Sequence, residues 1–102
     1  MAVCLLTYDY VDDVLERRRP HRDDHLAHIE RFAADRGLAV AGAVGDPPTG
    51  ALFVFEHESD PAGEAEDFVA GDPYVAAGLV TDRAIEPWTV VANCWIPGPG
   101  DA

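Results

Sequence analysis

The chain has no lysine, a single methionine and only two cysteines among its 102 residues. Arginine therefore carries all the basic side-chain charge apart from histidine, and there is little of it. Seven basic residues face nineteen acidic ones, for a formal charge of −12. Such a surface repels phosphate backbones and anionic lipid, which argues against nucleic-acid and membrane-surface roles. No apolar run approaches the ~20 residues that a membrane-spanning helix needs. Met1 to Tyr10 has neither a basic leading region nor a small-residue cleavage site, so no signal peptide is expected. Cys4 and Cys94 lie in apolar surroundings without a metal-ligand spacing. They read as reduced core thiols, and the protein as cytoplasmic.

What the chain does have is apolar content. At 48% hydrophobic residues it is globular and not disordered. Its length suits one core, so residues 1–96 are expected to form a single domain, followed by a flexible Pro/Gly tail at 97–102. Ala2–Tyr8 reads as a strand and Asp12-Asp13 as an acidic turn. Pro20 suits a first helical turn, Arg22–Arg36 reads as helix, and Gly37 caps it. Leu38–Val44 is a short strand, and residues 45–50 form a turn cluster rich in Gly and Pro. Leu52–Glu58 follows as a strand. Asp60-Pro61 then starts a helix running to about Ala70, which Gly71 ends. Asp72-Pro73 opens a short helical turn to about Ala77, and Ile85–Trp95 is read as the last strand. The order βαββαβ predicts a ferredoxin-like α+β fold, a four-stranded antiparallel sheet with helices on one face.

A sheet covered on one face should alternate apolar and polar residues. Val3 to Leu6 and Leu52 to Phe55 are apolar throughout. Both sheet faces thus call for burial, yet the helices cover one. A homodimer whose open sheet faces meet is the expected solution.

Charge on the first helix is the main functional signal. Leu26, Ile29 and Ala33 define an apolar stripe with Phe32 on its edge, and Arg22 projects onto its centre. His25 lies roughly 50° off centre, while His21 and His28 lie roughly 90–110° away, at the rim or beyond. Arg18 also projects near the stripe if the helix reaches that far. Arginines at a helix N-terminal end oppose the dipole and call for an anion, either protein carboxylates or a ligand. The plainer readings are a half-buried His25 bonded to a backbone carbonyl and arginines that snorkel. The spacing of His21, His25 and His28 also suits zinc, but the flanking arginines disfavour a dication and no Cys or Glu ligand pattern accompanies it. Asp72 reads by spacing as an ordinary helix cap, one of three Asp-Pro pairs with Asp46-Pro47 and Asp60-Pro61.

Four blocks carry a resemblance to the YCII-related (YciI-like) family over about residues 2–91: Arg18-x-x-x-Arg22-x-x-His25-Leu26; Gly42…Asp46-Pro47 with Gly50-Ala51-Leu52-Phe53-Val54-Phe55; Asp72-Pro73-Tyr74-Val75-Ala76-Ala77-Gly78-Leu79-Val80; and Ile85-Glu86-Pro87-Trp88. The resemblance implies a subunit that pairs into a dimeric α+β barrel. It also implies a His–Asp pair as catalytic centre, here His25 and Asp72, with Arg18 and Arg22 as the family's preceding arginines. Lyase-type dehydrochlorination of a hydroxylated aromatic is among the activities it implies. Cys94, Trp95 and the tail depart from the family pattern at the dimer rim. The resulting expectation is general acid/base chemistry by His25 and Asp72 on a small anionic, ring-derived substrate. Arg18 and Arg22 would hold its negative charge, Tyr8 and Tyr74 would line the pocket, and no metal or organic cofactor is required. A non-catalytic module binding small anions and a cofactor-free monooxygenase-like protein are the rival readings.

Overall fold

The computed structural model describes residues 1–93. Strand β1 (Ala2–Tyr10) leads into a one-turn helix α1 (Val14–Arg17) and a 3-10 turn at Arg19–His21, which continue into α2 (Arg22–Asp35). Strands β2 (Leu38–Val44) and β3 (Gly50–His57) form the central hairpin. Helix α3 (Pro61–Gly71), the single turn α4 (Pro73–Ala76) and β4 (Val80–Pro87) complete the order. The sheet is antiparallel throughout, with strand order β2-β3-β1-β4. This is the ferredoxin-like α+β arrangement expected from the element order. No helix among the described residues is long and apolar enough to cross a membrane.

Local chemistry sets the helix ends. The Asp60 side chain accepts from the Gly63 amide, and Pro61 occupies the first helical position. After α2 the chain reverses at Gly37, with φ of +79°, where a Cβ would collide with the Glu56 carbonyl oxygen. Any side chain there meets both a backbone clash and left-handed strain.

The core lies between the inner sheet face and the helices. Cys4, Leu6 and Tyr8 alternate inward from β1 and meet Phe53 and Phe55 of β3. Phe32 of α2 and Ala65, Phe68 and Val69 of α3 close over them. Phe68 is fully buried, with ring centroids 4.9 Å from Phe53, 5.2 Å from Phe32 and 5.8 Å from Phe55. A smaller cluster of Val14, Tyr74 and Leu79 packs under the loop after β1.

The outer sheet face carries the second set of apolar side chains. Val3, Val40, Leu52 and Val54 share a groove of about 760 Å³ with Trp88 and Val90 of the segment that follows β4. The Trp88 amide donates to the Val3 carbonyl at 2.9 Å and anchors that segment to the inner strand β1.

Several sequence expectations are corrected. β1 continues two residues past Tyr8 and β3 begins at Gly50. The last strand is Val80–Pro87, not Ile85–Trp95, because Leu6 and Tyr8 pair with Ile85 and Arg83 and carry the ladder back to Val80. Trp95 and the 97–102 tail lie outside the described residues, as does Cys94. The buried face of α2 is His25, His28 and Phe32, whereas Leu26 is 39% exposed and Ala33 is also exposed. This is about a quarter turn from the face that apolar spacing picks out. The interior supplies hydrogen-bond partners for both histidines, so their burial carries no unmet polar group.

Phe68→Ala removes the ring at the centre of this packing. The variant is expected to lose about 3–5 kcal/mol of unfolding free energy. Urea unfolding measures it, and a loss below about 1 kcal/mol would contradict the packing described.

Candidate active site

Asp72 differs physically from the other two aspartates that precede proline. Asp46 and Asp60 are exposed, but Asp72 is 1% exposed. It follows α3, adopts extended backbone at φ −75° and ψ 120°, and caps α4 by accepting from the Tyr74 amide at 3.0 Å. The same oxygen, Oδ1, lies 2.7 Å from His25 Nδ1. Its other oxygen, Oδ2, accepts from the Tyr8 hydroxyl at 2.7 Å. Three elements thus aim donors at one carboxylate: β1 through Tyr8, α2 through His25, and the start of α4 through its backbone.

The bonding assigns the histidine tautomer. An ionised carboxylate can only accept, so His25 Nδ1 carries the proton toward Asp72. Nε2 is then the atom free to take or give a proton. It has no hydrogen-bond partner among the described residues, and no buried side-chain nitrogen or oxygen there is left unpartnered, so Nε2 reaches the surface. The imidazole is only 3% exposed overall. It lies flat on the Tyr74 ring, with centroids 3.6 Å apart and planes 6° apart. Packing and hydrogen bonding together hold one face, one edge and one tautomer.

Arg22, expected at the centre of the helix stripe, instead lies at its edge, half-buried. Its Nη1 donates to the Tyr74 hydroxyl at 3.3 Å, and its remaining N–H groups are free of protein partners among the described residues. Arg18 is not on α2. It is the residue between α1 and the 3-10 turn, because Pro20 interrupts the α-helical run. With Leu15, Arg19, Arg22 and Asp23 it lines an open cavity of about 540 Å³. Arg18, Arg19 and Arg22 form no ion pair among the described residues, in contrast to Arg17 with Asp13 and Arg36 with Glu64 and Asp67. The larger groove on the outer sheet face is lined by none of these residues.

Tyr8 and Tyr10 hold their protons well above the ordinary tyrosine range. For Tyr8 the causes are burial, then the Asp72 charge and the hydrogen bond to it. For Tyr10 they are burial, then Tyr74 and Asp72, opposed by Arg18 and Arg22. Tyr10 was not among the residues expected at the site. It packs edge-on to Tyr74 at 6.1 Å and to Tyr8 at 6.3 Å. The period-two series Cys4, Leu6, Tyr8, Tyr10 would have found it had the strand been carried past Tyr8.

His28, read as a rim residue, is 4% exposed, and both its ring nitrogens meet protein groups. The described residues hold no group of three or more His, Cys, Asp and Glu side chains placed to share a metal ion.

The model of the YCII-related domain matches residues 1–89. An uncharacterised protein of Haemophilus influenzae is 32% identical over 90 residues, covering 79% of this chain and 90% of its own. Among solved structures, 5-chloro-2-hydroxyhydroquinone dehydrochlorinase (TftG) from Burkholderia phenoliruptrix AC1100, in complex with 2,5-dihydroxybenzoquinone, superposes with a TM-score of 0.68 at 27% identity. The match covers 85% of this chain and 93% of that one. A candidate antibiotic biosynthesis monooxygenase from Nitrosomonas europaea superposes with a TM-score of 0.60 over 90% of this chain and 100% of that one. At 13% identity this second likeness speaks to fold alone.

The raised tyrosines make stability depend on alkaline pH. Unfolded tyrosine ionises near pH 10, and the folded Tyr8 and Tyr10 ionise higher. The stability they contribute is complete below about pH 10 and is lost as pH climbs from there toward the folded values. Tyr8→Phe should flatten that alkaline fall. At neutral pH it should cost about 1–3 kcal/mol, because Asp72 Oδ2 loses its donor. Urea unfolding across both ranges measures this, and equal alkaline slopes in the two proteins would contradict the assignment.

Proposed function

Because the chain belongs to the family of YCII-related domains, we propose that it is a small-molecule enzyme in which His25 and Asp72 act as an acid–base pair. The observation that carries this reading is the buried Asp72 carboxylate bonded to His25 Nδ1, with Nε2 left open. The lyase-type neighbour supports the same reaction class.

The chemistry follows from the positions. His25 Nε2 takes a proton from a carbon beside a carbonyl, and the imidazolium that forms is stabilised by Asp72 through Nδ1–H. The electron pair moves into the carbonyl, giving an enolate-like oxygen. Arg22, assisted by Arg18, presents unpaired guanidinium N–H groups to that negative charge. The enolate then expels a leaving group from the neighbouring carbon, which is elimination. Alternatively it takes the proton back at another carbon, which is isomerisation. Tyr74 keeps the imidazole plane fixed through both proton transfers. Proton abstraction of this kind requires no redox partner, and the arginines supply the positive charge it needs. The dehydrochlorinase neighbour was solved with a dihydroxybenzoquinone, a planar oxygenated ring, and a ligand of that class suits a site built from arginine and tyrosine.

The same proposal includes self-pairing through the outer sheet face. Its support is the apolar groove of Val3, Val40, Leu52 and Val54, which the helices leave uncovered. Leu52→Asp places a charge on that face and is expected to halve the mass measured by light scattering. An unchanged mass would sink the pairing surface.

The activity is tested with hydroxylated and chlorinated ring-derived acids, following chloride release and product formation. His25→Ala and Asp72→Asn should each lower kcat/KM by about 10²–10⁴-fold. Full turnover in either variant would overturn the pair. Tight binding of unconverted ligands across the set would favour the anion-binding module instead.

A further inference from the structure

A second histidine, outside the site so far described, grips the same stretch of chain from the same helix. His28 stands three residues after His25 on α2. Its Nε2 lies 2.8 Å from the carbonyl oxygen of Phe68. A carbonyl only accepts, so Nε2 carries the proton, and Nδ1 accepts in turn from Arg31 Nη2 at 3.3 Å. The ring is held between Phe32 and Phe68, at 4.8 and 4.6 Å between centroids. It also fits against Gly71, where a Cβ would come within 2.9 Å of His28 Cε1.

The Phe68 carbonyl lies in the last turn of α3, which ends at Gly71. Its partner in a continuing α-helix is the amide four residues on, that of Asp72. In the structure the Asp72 amide also reaches the Val69 carbonyl at 3.3 Å, and the backbone leaves the helix at Asp72 in the extended conformation that the following Pro73 favours. His28 adds a side-chain donor to this buried end of α3, and a carbonyl oxygen has two lone pairs to receive it. Helix α2 thus holds this segment at two points, His28 bonding the Phe68 carbonyl and His25 the Asp72 carboxylate.

We propose that His28 is a positioning residue for Asp72. By bonding the Phe68 carbonyl and packing against Gly71 it fixes the last turn of α3 against α2, and so holds the Asp72 carboxylate where His25 Nδ1 and the Tyr8 hydroxyl reach it. Gly71 belongs to the same device, because only a residue without Cβ lets the imidazole approach the last turn of α3. The inference rests on the His25–Asp72 contact and not on any reaction. Absence of turnover on every substrate tried would leave it standing, and its own failure would leave the acid–base reading standing.

The test reads the tautomer of His25 by the ¹⁵N shifts of its ring nitrogens in the full chain. Wild type should show the Nδ1–H form, and Asp72→Asn should lose it, which calibrates the scale. His28→Leu keeps an apolar body but has no donor, and is expected to lower the Nδ1–H population of His25 by half or more. His28→Gln restores a side-chain donor toward Phe68 and is expected to recover most of it. Gly71→Ala keeps His28 but displaces its ring, giving a reading of the same sign even if His28→Leu does not fold. If His28→Leu or Gly71→Ala lowers thermal stability while His25 keeps the wild-type tautomer, His28 is only a packing residue and the proposal fails. Equal losses in His28→Leu and His28→Gln overturn it as well.

Discussion

One buried carboxylate organises this molecule. Asp72 sits in the interior of a chain with formal charge −12, where a further buried negative charge is unfavourable on every count. Removing a carboxylate from water costs several kcal/mol even after relaxation. Hydrogen bonds to a charged group each return about 1.5–3 kcal/mol. The structure provides three donors to this carboxylate, from Tyr8, His25 and the Tyr74 amide. Those donors come from the first strand, the long helix and the turn before the last strand. The carboxylate therefore ties together parts of the chain 64 and 47 residues distant in sequence. The site and the packing of this end of the domain are consequences of the same charge.

Electrostatics on the outside works against the proposed ligand at long range. An anion approaching the acidic surface is repelled until the field of individual groups exceeds that of the whole. Salt limits that field to about 8–10 Å under physiological conditions. Within that distance Arg18, Arg19 and Arg22 are without ion-pair partners among the described residues, and Arg22 touches the tyrosine on which His25 lies. Capture of the proposed anion would thus be a short-range event at one place on the surface. Discrimination follows from the same arrangement, since an anion docked elsewhere meets predominantly acidic neighbours.

Much of the fold was legible because it rests on strong local signals. Asp60-Pro61 and Gly37 marked helix ends through capping chemistry and a positive φ, and both did so in the structure. The continuous apolar runs in β1 and β3 correctly signalled a sheet with apolar residues on both faces. The face of α2 was not legible from apolar spacing, because that spacing assumes that polar residues avoid the interior. It fails where the interior supplies their partners, here Asp72 for His25 and the Phe68 carbonyl for His28. Asp72 itself illustrates the limit. Its Asp-Pro pattern is shared with two exposed aspartates, and only the family resemblance separated it from them. Burial distinguishes it, and burial is a property of the tertiary fold that no local pattern contains. The last strand was misplaced because Val80 to Ala84 carries polar residues on an open face, whereas Thr89 to Trp95 looks more strand-like by composition.

His25 and His28 show how little in a residue type decides its role. They are equally buried, lie on one helix and contact the same short segment of chain. Their tautomers are opposite, because one faces a carboxylate through Nδ1 and the other faces a carbonyl through Nε2. That difference fixes what each can do. Both nitrogens of His28 are engaged by protein groups, so protonating it would set a second N–H against the Arg31 guanidinium. His25 has one nitrogen bonded to an anion and the other open, so a proton can arrive at Nε2 and find compensating charge already in place at Nδ1. The ability to transfer protons therefore belongs to the pairing of an open nitrogen with a fixed carboxylate, and among the described residues only the histidine facing Asp72 has both.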